Sequence, residues 1–195
     1  MKKPENWPPS NQIEPLFVSF HLNPTAEKEM LSDKGIMYFK KNQPIGCRDY
    51  YTQKLLTRFG IETYFSACLT LCLKREDFVS KNTKREGIYV ISPLERLNPM
   101  SEEVPKGFLR RLFQKIKKPI KRKQFHSAIK KLDIFLQSQS EKVYHSSQLV
   151  DSKVFNEKER IEKAKLQLKN IASAKLVITS RIHTALPAVA YGTPV

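Results

Sequence analysis

AKLVITSRIHTALPAVAYGTPV, residues 174–195, is the stretch that decides the fold. Its segment KLVITS (175–180) is apolar and β-branched and follows a long helical pattern, so it reads as a buried strand. A short small-residue helix is expected from about 184 to 191, with Pro187 in its first turn, where a missing N–H does no harm. Working outward, IYVIS (88–92) and PLFVSF (15–20) read as strands, YFSACLTLCL (64–73) contains another, and VYHSSQLV (143–150) is a weaker fifth. Helical patterns fall at 49–59, closed by Gly60, and at about 107–118, 124–138 and 157–172. Strands separated by helices predict an α/β fold with a largely parallel sheet. The 195 residues suit one full domain or two small ones, and an apolar fraction of 40% supplies a core.

Net charge is +16, from 35 Lys and Arg against 19 Asp and Glu. Such an excess points to an anionic partner: nucleic acid, a membrane surface or a phosphorylated substrate. Its distribution chooses among them. Between Lys106 and Lys131 stand eleven basic residues and no acidic one. Within that segment, GFLRRLFQKIKKP places Phe108, Leu109, Leu112, Phe113 and Ile116 at helical spacing, with basic residues on the remaining surface. Pro119 should end or kink the helix. The pattern suits a helix lying in an anionic membrane interface, and equally a surface helix whose apolar stripe packs on its own domain. No nucleic-acid-binding motif accompanies the patch, so no nucleic-acid partner is expected.

No apolar run is long enough to span a bilayer, and MKKPENWPPSNQIEP lacks the apolar stretch of a secretory signal. A cytoplasmic location is expected. Cys47, Cys68 and Cys72 are too few for a disulfide scaffold, and His21, His126, His145 and His183 give no zinc-ligand spacing around them. The cysteines therefore read as buried small hydrophobes, and no metal site is expected.

Two loops look suited to an anion. In open α/β sheets ligands bind beyond the carboxyl ends of the strands. There the chain offers Ser180, Arg181, His183 and Thr184 at the start of a helix, whose free N–H groups and dipole favour phosphate or carboxylate. Arg181 can pair with either in bidentate fashion, and His183 can donate or accept a proton. Taken alone, these types also fit a surface arginine and a capping histidine. In the second loop, PIGCRDYYTQKLLTRFGIETYF, Asp49 is positioned to cap the helix from Tyr50, with Arg48 just before it. Cys47 beside Arg48 reads as a structural thiol rather than a nucleophile.

PIGCRDYYTQKLLTRFGIETYFSACLTL at 44–71 and AKLVITSRIHTALPAVAYGTPV at 174–195, in that order and with PLFVSFHLN at 15–23 upstream, together resemble the polysaccharide pyruvyl transferase family. An Arg-Asp pair opens a helix that ends before Gly-Ile. Later, a strand runs into Ser-Arg-Ile-His and a helix ending in Gly-x-Pro-Val. Ala67 stands where capsule-type relatives carry Gly.

The resemblance implies two Rossmann-like halves with mainly parallel sheets in a GT-B-like architecture, the donor lying in the cleft between them. The first, 1–86, would carry the Arg-Asp loop. The second, 87–195, would carry a basic helical insertion at about 106–131 and the Ser-Arg-Ile-His loop. It implies an enzyme that transfers the pyruvyl group of phosphoenolpyruvate to two hydroxyls of a saccharide acceptor, free or lipid-linked, in capsule or exopolysaccharide synthesis. Phosphoenolpyruvate is a donor substrate, and no cofactor is implied. Arg181 matches the donor-gripping arginine and His183 the histidine at the same donor, with Arg48 as a second anion ligand and Asp49, Ser180 and Thr184 beside them. Such an enzyme would be cytoplasmic, with peripheral contact at the inner membrane face through 106–131. Family members run longer, so the chain is expected to be incomplete at one or both ends. Two other readings stay open: a glycosyltransferase of the same architecture using a nucleotide sugar, and a non-catalytic remnant that binds membranes.

Overall fold

Short helix-capping signals organise the first half of the chain. Ser32 accepts from the Gly35 N–H and starts a helix at Asp33, and Asp49 accepts from the Thr52 N–H and starts another at Tyr50. The computed structural model describes residues 7–10, 12–95, 98, 107–151 and 153–195. The chain divides into two units, Met1–Cys72 and Leu73–Val195. Each has its own parallel sheet, so the expected α/β class with mainly parallel strands holds.

In the first unit, α1 (Glu27–Met30) and α2 (Asp33–Lys41) precede β1 (Ile45–Cys47), α3 (Tyr50–Arg58) and β2 (Thr63–Phe65). β1 and β2 pair in parallel with Ile45 opposite Thr63, and α3 makes the crossover that parallel pairing requires. Gly60, at φ +68, turns the chain out of α3. The core gathers Leu22, Phe39, Ile45, Cys47, Leu56 and Ile61, with Trp7, Phe17 and Phe20 packed against them. β1 and α1, of three and four residues, are too short to show a period, whereas α2 is amphipathic, burying Gly35, Tyr38 and Phe39, and was missed.

PLFVSF is not the regular strand its composition predicts. Its backbone does run beside β1, with Phe20 N–H donating to Gly46 C=O, Gly46 N–H to Phe17 C=O and Arg48 N–H to Phe20 C=O. Ser19, however, sits at φ 59 and breaks the extended conformation, leaving one bridge, Phe20 to Cys47. The cysteine expectation also needs correction. Cys47 is buried, but Cys68 is half-buried and Cys72 exposed, because 69–72 is a tight 3-10 turn that follows Ala67 at φ 57 and not a strand or helix with an inward face.

In the second unit, β3 (Ile88–Ile91), α4 (Phe108–Gln137), β4 (Val143–Ser146), α5 (Glu157–Ser173), β5 (Leu176–Thr179) and α6 (Ile182–Ala190) alternate. β3 is central, in the order β4-β3-β5, and both pairings are parallel. Alternation along the strands splits the core between the two faces. Ile91 and Val177 face Ile171, Ala172 and Ala188 of α5 and α6, whereas Ile88, Val90, Leu176 and Ile178 face Leu132 and Leu136 of α4.

Two helix expectations are corrected here. Pro119 does not end a helix: the patterns at about 107–118 and 124–138 fall on the single helix α4, with Gly107 and Ser138 as its caps. Residues around Pro119 are exposed, so the carbonyl that loses its N–H partner faces water rather than a dry interior. α6 begins at Ile182, earlier than expected, so Pro187 lies inside it and cannot donate to the His183 carbonyl.

Candidate functional site

The strand order of the second unit defines where a ligand fits. From β3 the chain crosses to β4 on one side, then returns past β3 to β5 on the other, so the sheet has its switch point between the carboxyl ends of β3 and β5. The loops leaving those two strands are tied together. Ser180 Oγ donates to the Ser92 carbonyl at 3.0 Å. Arg181 Nε donates to Glu95 Oε2 at 2.9 Å, and Nη2 donates to the same oxygen. Both side chains of this ion pair are about three-quarters covered. Burial pushes the Glu95 carboxyl up, but hydrogen bonds from Arg181, Ser92 and Ser147 outweigh it and hold the group below its ordinary value. Arg181 is thus oriented by a carboxylate, and its Nη1 has no hydrogen-bond partner among the described residues.

Arg181 is also the N-cap of α6, and no side chain caps that terminus. First-turn N–H groups and the positive dipole end therefore stand at the same switch point. His183 is exposed and lines an open groove of ≈ 560 Å³ that runs between the loop after β4 and one face of α5. Arg181 is not among the residues lining that groove. Arg160 and Lys163 of α5 are, so three groups able to carry positive charge converge there. Arg160 Nε is buried without a hydrogen-bond partner among the described residues. Thr184 is fully buried: its hydroxyl donates to Gln148 Oε1 at 3.0 Å and accepts from Gln167 Nε2 at 3.4 Å. It fixes the start of α6 against two residues that line the groove.

In the first unit the carboxyl ends of the parallel segments carry a second cluster. Asp49 Oδ1 accepts from Thr52 N–H at 2.8 Å, and Oδ2 accepts from the Thr52 hydroxyl at 3.0 Å and meets His21 Nδ1 at 2.7 Å. With the proton on Nδ1, His21 donates to Asp49 and presents Nε2 as a proton acceptor. Burial pushes the Asp49 carboxyl up, yet the bonds from Thr52 and His21 prevail and hold it below its ordinary value. Arg48 is half-buried, its N–H bonded to Phe20, and its guanidinium has no hydrogen bond or ion pair among the described residues. Beside it, Tyr50 and Phe65 stack with centroids 4.5 Å apart and stay largely exposed. Burial, then the Asp49 charge, pushes the Cys47 thiol up to about 11, which makes it a structural thiol. No group of His, Cys, Asp and Glu able to hold a metal ion occurs among the described residues.

Sequence reading placed Arg181, His183, Ser180, Thr184, Arg48 and Asp49 at these edges but missed His21, Glu95, Arg160 and Lys163. Their partners lie far away in sequence, 28 residues for His21–Asp49 and 86 for Glu95–Arg181. The carboxyl-end rule applied to IYVIS would have drawn attention to the Ser92–Glu95 loop.

Each of the two parallel sheets thus carries cationic and proton-transferring side chains at its carboxyl ends, the edge where open α/β sheets receive ligands. The family model for polysaccharide pyruvyl transferase matches residues 18–195, and the chain belongs to that family. No curated protein and no solved structure matches the chain.

Proposed function

We propose that this protein transfers the pyruvyl group of phosphoenolpyruvate to a saccharide acceptor, forming a ketal and releasing phosphate. The observation that carries the reading is the Ser180-Arg181-Ile182-His183 segment opening α6 at the switch point, in a chain that matches the family over 18–195. A GT-B-like architecture is part of the proposal, supported by two α/β units that each bear a polar cluster at strand ends. A capsular or exopolysaccharide acceptor is the expected context.

The chemistry calls for these residue types. Phosphoenolpyruvate holds a phosphate and a carboxylate close together, so it needs several cationic donors at fixed angles. We assign Arg181, through Nη1 and the α6 N-terminus, to donor binding, and His183, with Arg160 and Lys163, to the phosphate. One sugar hydroxyl adds to C2 as a proton reaches C3, turning the methylene into a methyl group. The C2–O bond to phosphate then breaks, its electron pair leaving with phosphate, and the second hydroxyl closes on C2. The two hydroxyl protons are matched by one on the methyl and one on phosphate. General acid–base catalysis of such transfers contributes ~10²–10⁴-fold. His21 oriented by Asp49 suits proton removal from a hydroxyl, Arg48 suits a further anion contact, and the exposed Tyr50–Phe65 pair offers an apolar surface to a sugar ring.

Phosphate release from phosphoenolpyruvate in the presence of candidate saccharides tests this. Release that depends on acceptor, with an acid-labile ketal in the product, is expected, and His183→Ala should lower kcat by roughly 10²-fold or more. Turnover of a nucleotide sugar with phosphoenolpyruvate left untouched would replace the proposal with glycosyl transfer.

A further inference from the structure

The continuous helix α4 resolves the ambiguity of the basic segment. Its C-terminal half is anchored: Phe125, Ala128, Ile129 and Leu132 are half-buried and Leu136 is buried, with Leu132 and Leu136 packed against β3. Its N-terminal half is not. Every described side chain from Leu112 to Gln124 is exposed, including Leu112, Phe113, Ile116 and Ile120. At 3.6 residues per turn, those four span an arc of about 100°, while Phe125, Ile129, Leu132 and Leu136 gather about 180° away. One helix thus carries two apolar stripes on opposite sides. While Leu132 and Leu136 stay in the core, the first stripe faces away from the sheet. Among the described residues none covers the stripe Leu112–Ile120, in contrast to Leu132 and Leu136.

The charges lie where a lipid surface requires them. Lys115 and Lys117 flank the exposed stripe on its two margins, Lys123 closes the stripe at its C-terminal end, beyond Ile120, and Lys118, Lys121 and Arg122 occupy the side opposite it, all exposed. Lysines at such margins can reach to headgroup level while their stems cover apolar surface. Self-association through the same face would bring like charges together. Nucleic acid would use the charges but leave Phe113, Ile116 and Ile120 unburied. No described helix is long and apolar enough to cross a membrane, so the helix would lie in the interface.

We infer that residues 112–124 form a docking surface for an anionic lipid bilayer, with Leu112, Phe113, Ile116 and Ile120 inserted below the headgroups and the marginal Lys115 and Lys117 paired with lipid charges. The inference does not rest on pyruvyl transfer. Its test is co-sedimentation of the full chain with vesicles of phosphatidylcholine alone and of phosphatidylcholine mixed with phosphatidylglycerol. Circular dichroism checks that each variant is folded, which exposed positions favour. Wild-type protein should sediment with the anionic vesicles and not the neutral ones, and added salt should weaken binding. Lys115→Gln with Lys117→Gln should lower partitioning roughly 25-fold, at about fivefold per charge at the surface. Ile116→Asp should lower it by on the order of tenfold or more through lost insertion. Equal binding to neutral vesicles, no binding, or an unchanged Ile116→Asp variant would overturn the inference. So would concentration-dependent self-association abolished by Ile116→Asp without lipid binding, or binding to duplex nucleic acid in preference to vesicles.

Discussion

Replacing Asp49 with alanine would break a hydrogen-bond chain that runs from the surface into the core of the first unit. Asp49 caps α3 through Thr52 N–H and accepts from the Thr52 hydroxyl, which in turn accepts from Leu22 N–H at 3.1 Å. Leu22 and Thr52 are both 0% exposed. Loss of the cap costs about 1 kcal/mol. Leaving the buried Thr52 hydroxyl without its acceptor adds ~1–2 kcal/mol. The His21 contact is about one-third exposed and adds well under ~1 kcal/mol. Asp49→Ala should therefore cost about 2–3 kcal/mol in urea unfolding. Asp49→Asn keeps an oxygen for Thr52 N–H and should cost ~1 kcal/mol. Because the folded carboxyl is held below its ordinary value, its charge stabilises the protein above the unfolded value of ~3.9 and that contribution is lost as pH falls through the lower folded value. The gap between wild type and Asp49→Asn should narrow below about pH 4. An Asp49→Ala cost under ~0.5 kcal/mol, or a gap that widens on acidification below that point, would refute the reasoning.

Ala67 adopts φ 57, a conformation that costs a non-glycine residue ~1–2 kcal/mol, against ~0.4–1 kcal/mol of extra chain entropy for glycine when unfolded. Ala67→Gly should thus stabilise the chain by about 0.5–1 kcal/mol in urea unfolding; destabilisation would contradict the strain. With its thiol pushed up to about 11, Cys47 should resist a thiol reagent at neutral pH until the first unit opens, whereas exposed Cys72 should react at once. Labelling followed by mass spectrometry checks the order.

Much of the architecture was legible because the second unit obeys simple periodicities. IYVIS and LVIT are apolar, β-branched runs, VYHS is a weaker one, and Asp49 and Gly60 bracket α3 with ordinary start and stop chemistry. What sequence could not show was non-local or conformational. β1 has three residues, too few for a pattern, and the backbone turn at Ser19 disguises the segment beside it. Pro119 carries a helix-ending signal, but in an exposed helix it forfeits only one bond. In the candidate site the strand-end residues Arg181 and His183 stood out. The carboxylate that orients Arg181, the His21 that meets Asp49, and the α5 cations in the groove emerge only once the chain is folded.

The central claim is that the α6 N-terminus binds phosphoenolpyruvate through Arg181. Titration calorimetry of the folded full chain with phosphoenolpyruvate tests it most directly, alongside Arg181→Ala. Saturable binding to wild type, weakened at least ~10-fold in the variant and not displaced by nucleotide sugars, is the predicted result. Folded wild-type protein that takes up no phosphoenolpyruvate, or an Arg181→Ala variant that binds it unchanged, would contradict the account.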